Sequence, residues 1–352
     1  MRLAVSGGGT GGHVYPALEI ARHAISLGDE VFYLGSHRGQ EGAACQAAGI
    51  PFQAYPAEPL WSLKTPQGWK AAMKLLQSVG MAKTYLRSAK PQALLSTGGY
   101  SSAPALAAAR RLGIPFVIYE ANSAPGRTHR MFARDARAFC TLFKSTSTRL
   151  PNVRTIRTGA PIRKALREAA KDLHPDGLVL VVGGSQGSAF LNERVPELRD
   201  HVEGGRFLHA FGKKNFTAEI AEQSNAEYER VAYLESEAIT KAYQSASVVI
   251  ARSGGTLAEL ALFRTPSVLV PLPTSADGHQ RHNAEEFFSM GAATLIDQSS
   301  WSAEAAAAAV NRWLQDGDAR GMAQSALAEW DIPDATERVY EQLATKSAPR
   351  LS

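Results

Sequence analysis

Short apolar runs rich in β-branched residues recur along the chain, and each leads through a glycine-rich or polar turn into a segment of helical length. Leu3–Ser6 runs into Gly7-Gly8-Gly9-Thr10-Gly11-Gly12-His13, before a helix predicted from about Pro16 to Leu27 and a second strand at Glu30–Leu34. Ala93–Ser96 enters a second glycine turn, Thr97-Gly98-Gly99-Tyr100, followed by a helix at Ala103–Leu112 and a strand at Pro115–Tyr119 that ends in Glu120-Ala121-Asn122. Phe139–Thr141 and Val153–Ile156 read as short further strands.

The pattern then starts again. Leu178–Val182 leads into Gly183-Gly184-Ser185-Gln186-Gly187-Ser188, Val231–Leu234 reads as a strand, and Val248–Ile250 turns through Ser253-Gly254-Gly255 into a short helix with Glu259 before another strand at Ser267–Leu272. The loop Asp277-Gly278-His279-Gln280 follows, and an alanine-rich helix spans Ala303–Leu314. Asp316-Gly317-Asp318 looks like a metal-binding pair of carboxylates but reads as the turn closing that helix, so no metal is expected from it. A duplicated strand–glycine turn–helix unit predicts an α/β protein of two Rossmann-like domains with parallel sheets facing across a cleft. The divide falls near Gly159–Arg163, giving an N-terminal domain at 1–160 and a C-terminal domain at 161–333, with a last helix from about 334 to 352.

Composition narrows the class. The 352 residues suffice for two cores of ordinary size, no stretch has the length of a membrane span, and the start shows no secretory signal, so the chain reads as cytosolic. Two cysteines without metal-ligand spacing agree with a reducing compartment. Charge is uneven: residues 1–160 carry 19 Lys and Arg against 7 Asp and Glu, while the remainder carries 19 against 26. No acid occurs between Glu58 and Glu120, where Lys64, Lys70, Lys74, Lys83 and Arg87 fall on or near a helix predicted from Gly68. That helix can be an ordinary core helix with a solvated basic face. Trp61, Leu63 and Trp69 at its entrance point instead to an anionic lipid surface, contacted by Trp61, Lys64, Trp69, Lys70 and Lys74.

The glycine turns supply the candidate chemistry. A glycine turn that opens a helix leaves backbone N–H groups and a positive dipole end facing outward, which suits a diphosphate, and Glu259 one turn further in suits a pair of ribose hydroxyls. Gly7, Gly9 and Gly12 also satisfy the dinucleotide fingerprint. Its second strand, however, ends in Leu34-Gly35-Ser36-His37-Arg38 without a ribose-binding acid, so an oxidoreductase would have to read a 2′-phosphate through Arg38.

In order along the chain, Gly8-Gly9-Thr10-Gly11-Gly12-His13, Gly98-Gly99-Tyr100, Glu120 with Asn122, Gly183-Gly184-Ser185-Gln186-Gly187, Arg252-Ser253-Gly254-Gly255-Thr256 with Glu259, His279-Gln280 with Asn283, and Ile332–Val339 resemble the MurG family of bacterial glycosyltransferases, glycosyltransferase family 28. The resemblance covers nearly the whole chain. It implies the GT-B fold, with the last helix crossing back to the first domain, and inverting transfer of N-acetylglucosamine from UDP-GlcNAc to lipid I to make the peptidoglycan precursor lipid II. It implies a peripheral enzyme on the cytoplasmic face of the membrane, tied to cell-wall synthesis and its complexes, with no cofactor and no nucleic acid. Donor contacts would come from Ser185 (diphosphate), Leu234 (uracil, through its backbone), Ser253, Gly254, Gly255, Thr256, Glu259 (ribose) and Gln280 (sugar hydroxyls). Thr10, Gly11, Gly12, Asn122 and Arg163 would close the site from the other side. Gly9, Gly98, Gly99 and Tyr100 would take the acceptor diphosphate. His13 is the candidate general base, with a purely positioning or diphosphate-contacting role as its alternative. This chain has Ala121 and Tyr119 where the family often has Gln and His. Transfer to another lipid such as diacylglycerol is the nearest rival reading.

Overall fold

Two all-parallel sheets organise the computed structural model, which describes residues 1–345 apart from Trp61, Leu63 and Ser185. In the first sheet β1 (Arg2–Gly7), β2 (Glu30–Ser36), β3 (Phe52–Tyr55), β4 (Ala93–Gly98), β5 (Phe116–Glu120), β6 (Ala138–Thr141) and β7 (Thr155–Arg157) lie in the order β3-β2-β1-β4-β5-β6-β7. In the second, β8 (Leu178–Val182), β9 (Arg206–Ala210), β10 (Tyr228–Val231), β11 (Ala246–Ala251), β12 (Ser267–Leu269) and β13 (Ala293–Leu295) lie in the order β10-β9-β8-β11-β12-β13. The strand order reverses between β1 and β4 and between β8 and β11, the crevice position where open parallel sheets take their ligands. The central strands are buried on both faces, as their unbroken apolar runs require; Val5 pairs with Leu95, and Val249 with Leu180.

The chain divides into a unit of Met1–Ile162 with the segment from Pro333 onward, and a unit of Arg163–Ile332. The first closes on its own C-terminal helix, Ala335–Ala344, which buries Ala335, Val339 and Leu343. Tyr340 of that helix meets the His23 ring edge-on at 5.2 Å and donates to Asp29 Oδ2 at 2.7 Å.

Several local expectations are corrected. The first helix is Gly11–Ser26 and so begins within the glycine motif; Pro16 lies inside it and removes only the bond to the Gly12 carbonyl. The strand expected at Val231–Leu234 ends at Val231, leaving Leu234 in a loop. Gln280 lies in the first turn of a helix, His279–Ser289. Asp316 ends one helix and starts the next, Gly317–Trp330, where its Oδ1 accepts from Ala319 N at 2.9 Å. That second helix hides its apolar stripe behind a glycine start, and alanine-rich patterning does not mark its boundary.

The basic helix spans Pro66–Ala89, capped by the Thr65 hydroxyl accepting from Gly68 N at 3.1 Å. It has two apolar faces. Gly68, Ala71, Ser78, Val79, Ala82 and Leu86 face inward, while Trp69, Met73 and Leu76, at spacings of four and three, are 64 %, 70 % and 68 % exposed. Trp69, Met73 and Leu76 therefore line a second stripe, turned to solvent and apart from the buried Val79 and Leu86. Lys74 is bonded to Glu58, which Arg38 also meets at 3.2 Å, so the acid at the edge of this basic stretch neutralises part of it. Among the described residues no helix is long and apolar enough to cross a membrane.

In the second unit His209 is buried in β9, its Nδ1 2.8 Å from the Tyr228 hydroxyl. Burial, helped by the Arg230 charge, pushes its pKa from 6.5 down to about 3. Between those values the unfolded chain takes a proton that the folded chain refuses, so stability is lost as pH falls through that window. Replacing His209 by Gln removes the titration. The pH dependence of urea-unfolding free energy below pH ~6 is expected to become shallower by about 1.4 kcal/mol per pH unit.

Candidate functional site

In the first unit the adjacency of β1 and β4 brings the two glycine turns into direct contact. Gly8 N donates to the Gly98 carbonyl at 3.1 Å, and a Cβ on Gly99 would lie 2.1 Å from the Gly8 oxygen. Gly98 and Gly99 have φ of 104° and 81°, so both the space and the backbone demand glycine. Thr10 precedes Gly11 at the helix start without a side-chain cap, and the first turn carries no acid, so the positive end of the helix is left for an anion. Gly9 differs: its N–H donates to Glu41 Oε2 at 3.3 Å, while Glu41 Oε1 takes Ser36 N at 3.0 Å. Glu41 is fully buried and holds the turn from beneath. The Tyr100 ring sits over Gly9, its nearest carbon 3.2 Å from where a Cβ would stand.

His13 is latched to Thr97 twice. Its Nδ1 lies 2.9 Å from the Thr97 carbonyl, and the Thr97 hydroxyl donates to the His13 carbonyl at 2.7 Å. A carbonyl can only accept, so Nδ1 carries the hydrogen and the lone pair of the neutral ring is on Nε2. A Cβ on Gly98 would be 3.1 Å from both the His13 and the His129 rings, which flank it. His129 Nδ1 donates to Glu120 Oε2 at 2.8 Å, and its Nε2 is 3.2 Å from Ser96 Oγ. Ser–His–Glu spacing of this kind resembles a nucleophilic triad, but Ser96 is fully buried, so no substrate reaches it. The network instead holds Glu120, whose carboxylate also accepts from Asn122 N at 3.0 Å, Asn122 Nδ2 at 3.2 Å and Gly126 N at 3.2 Å. Burial alone would raise the Glu120 pKa. The His129 bond, the charges of His129 and His13 and the Gly126 amide outweigh it and hold the carboxyl below its ordinary value.

In the second unit the turn Arg252–Gly255 joins β11 to the helix Thr256–Leu262. Arg252, buried, donates from Nε to Ser188 Oγ at 3.1 Å and from a terminal nitrogen to the carbonyls of Val270 at 2.8 Å and Pro271 at 3.2 Å. One guanidinium thus ties together the segments that follow β8, β11 and β12. Ser253 Oγ donates to the Gln280 carbonyl at 2.7 Å, Asn283 Nδ2 to the Ser253 carbonyl at 3.0 Å, and Leu272 N to Gln280 Oε1 at 2.9 Å. With its amide oxygen so engaged, Gln280 has its NH2 group to offer. Glu259 Oε2 accepts from the Tyr243 hydroxyl at 2.8 Å. Burial raises the Glu259 pKa, opposed by that bond and by the charge of Arg163. Arg163 belongs to this unit, on the C-terminal side of the divide drawn at 160/161, and reaches Ser236 Oγ at 3.3 Å. Leu234 lies in the loop after β10, beside Tyr233, whose ring is 4.9 Å from Lys213 Nζ. The Ser185 assignment falls outside the described residues.

The sequence matches the glycosyltransferase family 28 N-terminal domain over residues 3–141 and the family 28 C-terminal domain over residues 178–339. The chain belongs to glycosyltransferase family 28. It is 36% identical to the UDP-N-acetylglucosamine–N-acetylmuramyl-(pentapeptide) pyrophosphoryl-undecaprenol N-acetylglucosamine transferase of Stutzerimonas stutzeri, covering 96% of this chain and 97% of the relative. It is 33% identical to the protein of the same name from Symbiobacterium thermophilum, over 97% and 96%. The structure of Acinetobacter baumannii MurG superposes with a TM-score of 0.75 at 26% identity, over 97% of this chain and 99% of that one. A glycosyltransferase of kitacinnamycin has a TM-score of 0.73 at 17% identity and shares the fold. The two Rossmann-like domains are those of the GT-B class, and the oxidoreductase alternative is set aside. In this family 28 enzyme Glu41, His129, Tyr243 and Arg252 carried no role in the sequence reading; only the contacts made in the fold disclose them, Glu41 with Gly9, His129 with Glu120, Tyr243 with Glu259, and Arg252 with Ser188, Val270 and Pro271.

The contrast between two glycines is testable. Gly99→Ala is expected to cost about 2 kcal/mol or more, from a positive φ and a backbone clash. A Cβ on Gly12 would meet only Thr10 Oγ1, at 3.8 Å, so Gly12→Ala is expected to fold normally and to show its effect only on ligand binding. Thermal melts of the two variants check this.

Proposed function

We propose that the chain transfers N-acetylglucosamine from UDP-GlcNAc to the muramoyl sugar of lipid I, with inversion, releasing UDP and lipid II. The observation that carries the reading is the near-full-length likeness to transferases of that name. Donor contacts are assigned to Ser185, Leu234, Ser253, Gly254, Gly255, Thr256, Glu259 and Gln280, with Arg163 beside them. Gly11, Gly12 and Thr10 are assigned to the exposed helix start, Asn122 to the turn held by Glu120, and Gly98, Gly99 and Tyr100 to the acceptor diphosphate. Gly9 contributes to that turn as backbone shape, because its N–H is occupied by Glu41.

In the reaction the acceptor oxygen bonds to the anomeric carbon as the bond from that carbon to the UDP oxygen breaks, and UDP leaves with the electron pair. The acceptor proton passes to His13 Nε2. Donation from Nδ1 to Thr97 presents the basic nitrogen, and the nearby Glu120 carboxylate favours the imidazolium that forms. The negative charge on UDP is assigned to backbone donors at glycine turns.

UDP release is the direct assay. It is expected with UDP-GlcNAc and a lipid I analogue, with little change on adding a chelator, and not with UDP-glucose and diacylglycerol; the reverse preference overturns the assignment. Glu259→Ala is expected to weaken UDP binding about tenfold, the loss of bonds to a charged group. Calorimetry showing undiminished affinity in a folded variant would displace the donor site.

A lipid acceptor requires the enzyme to work at a membrane, and the exposed Trp69, Met73 and Leu76 with Lys64 and Lys70 around them support peripheral docking on anionic lipid at the cytoplasmic face. Lys74 is the weaker member, since Glu58 holds it, and Trp61 and Leu63 lie outside the described residues. Replacing Trp69, Met73 and Leu76 by Ser is expected to abolish sedimentation with anionic vesicles and to spare turnover of a water-soluble acceptor analogue. Equal losses in both would return this stripe to a role in folding.

A further inference from the structure

Tyr243 lies near the C-terminal end of the helix Ser236–Ser245 and is almost wholly buried, its ring stacked on Phe263 at 5.1 Å with an interplanar angle of 24°. The hydroxyl donates to Glu259 Oε2 at 2.8 Å. Phe263 immediately follows the helix that carries Glu259, so the same packing that orients the phenol ring is anchored to the element it serves. A glutamate side chain has three rotatable bonds, and near a helix start it can swing toward backbone N–H groups or solvent. A vicinal diol binds both hydroxyls well only if the carboxylate plane is fixed beforehand.

We propose that Tyr243 is a positioning residue for nucleotide recognition, holding one carboxylate oxygen of Glu259 so that the group's remaining acceptor positions are aimed at the vicinal diol of the donor ribose. The proposal rests on the assignment of Glu259 to the ribose. Burial pushes the Tyr243 phenol well above its ordinary pKa, so it stays a donor. An ionised carboxylate has about four acceptor positions, and one bond from Tyr243 leaves enough for two ribose hydroxyls. The same helix carries Ser236, the partner of Arg163, whose positive charge favours ionised Glu259. One helix therefore bears both Tyr243, which fixes the carboxylate's orientation, and Ser236, the hydroxyl that Arg163 reaches.

The test is calorimetric binding of UDP and of 2′-deoxy-UDP to the full chain and to Tyr243→Phe and Glu259→Ala. The unaltered protein is expected to prefer UDP by about tenfold, the size of one bond to a charged acceptor. Glu259→Ala should erase that preference. Tyr243→Phe keeps the stacked ring, so its melting temperature should change little, while its preference for UDP should fall to about twofold. If Tyr243→Phe keeps the full preference, the proposal is overturned and Glu259 orients itself. If Glu259→Ala keeps it, the ribose assignment falls and takes the proposal with it. Equal weakening of both nucleotides with a lowered melting temperature would also overturn it, since the hydroxyl would then serve only the fold.

Discussion

In a parallel sheet every strand hands its chain to a helix at the same edge, so the turns at that edge must share one small space. The consequence is most severe where β1 meets β4: the Gly8 amide bonds to the Gly98 carbonyl, and Gly99 approaches so closely that a methyl group would overlap the Gly8 oxygen. The helix start beside these turns, at Gly11, has no side-chain cap and no acid in its first turn. The close approach also leaves polar groups beneath the turns that water cannot reach, and these have to be matched internally. Glu41 and Glu120 do so, each a buried carboxylate accepting from several N–H groups.

The second unit answers the same constraint with the opposite charge. There the buried group is the guanidinium of Arg252, which donates to a hydroxyl and two carbonyls on two other segments. Carboxylates collect amide donors and a guanidinium collects carbonyl acceptors, so each unit uses an ion suited to the backbone groups its turns leave over. A buried ion without such partners would cost far more than it contributes, and here the partners are complete enough for each ion to act as a brace.

Much of this was legible in the chain. Fully buried parallel strands announce themselves as short apolar runs, and glycine turns mark their ends, so the central strands of both sheets and the position of His13, Glu259 and the glycine motifs followed from local pattern, whereas β3, β9 and β13 did not. What escaped was set by contacts between residues far apart in sequence. Nothing near Glu41 indicates that it lies under Gly9, and nothing near Tyr243 indicates Glu259. Val231–Leu234 misled because a short apolar, aromatic run is equally compatible with a loop, and the strand ends at Val231. On the helix Pro66–Ala89 apolar residues cover more than one face, so periodicity could not distinguish Leu86, which is buried, from Leu76, which is not.

The first unit is assembled from two stretches of chain separated by the whole of the second. Its last helix buries Ala335, Val339 and Leu343 against it and bonds Tyr340 to Asp29, so the surface formed by the helix Gly11–Ser26 has no cover until residues more than 300 positions later have been made. On a ribosome the order of completion is therefore inverted relative to the order of synthesis. The second unit, continuous in sequence, has all its strands before the first has its final helix, and the nascent N-terminal sheet must wait with one apolar flank uncovered, a vulnerability that chaperones would be the first to meet.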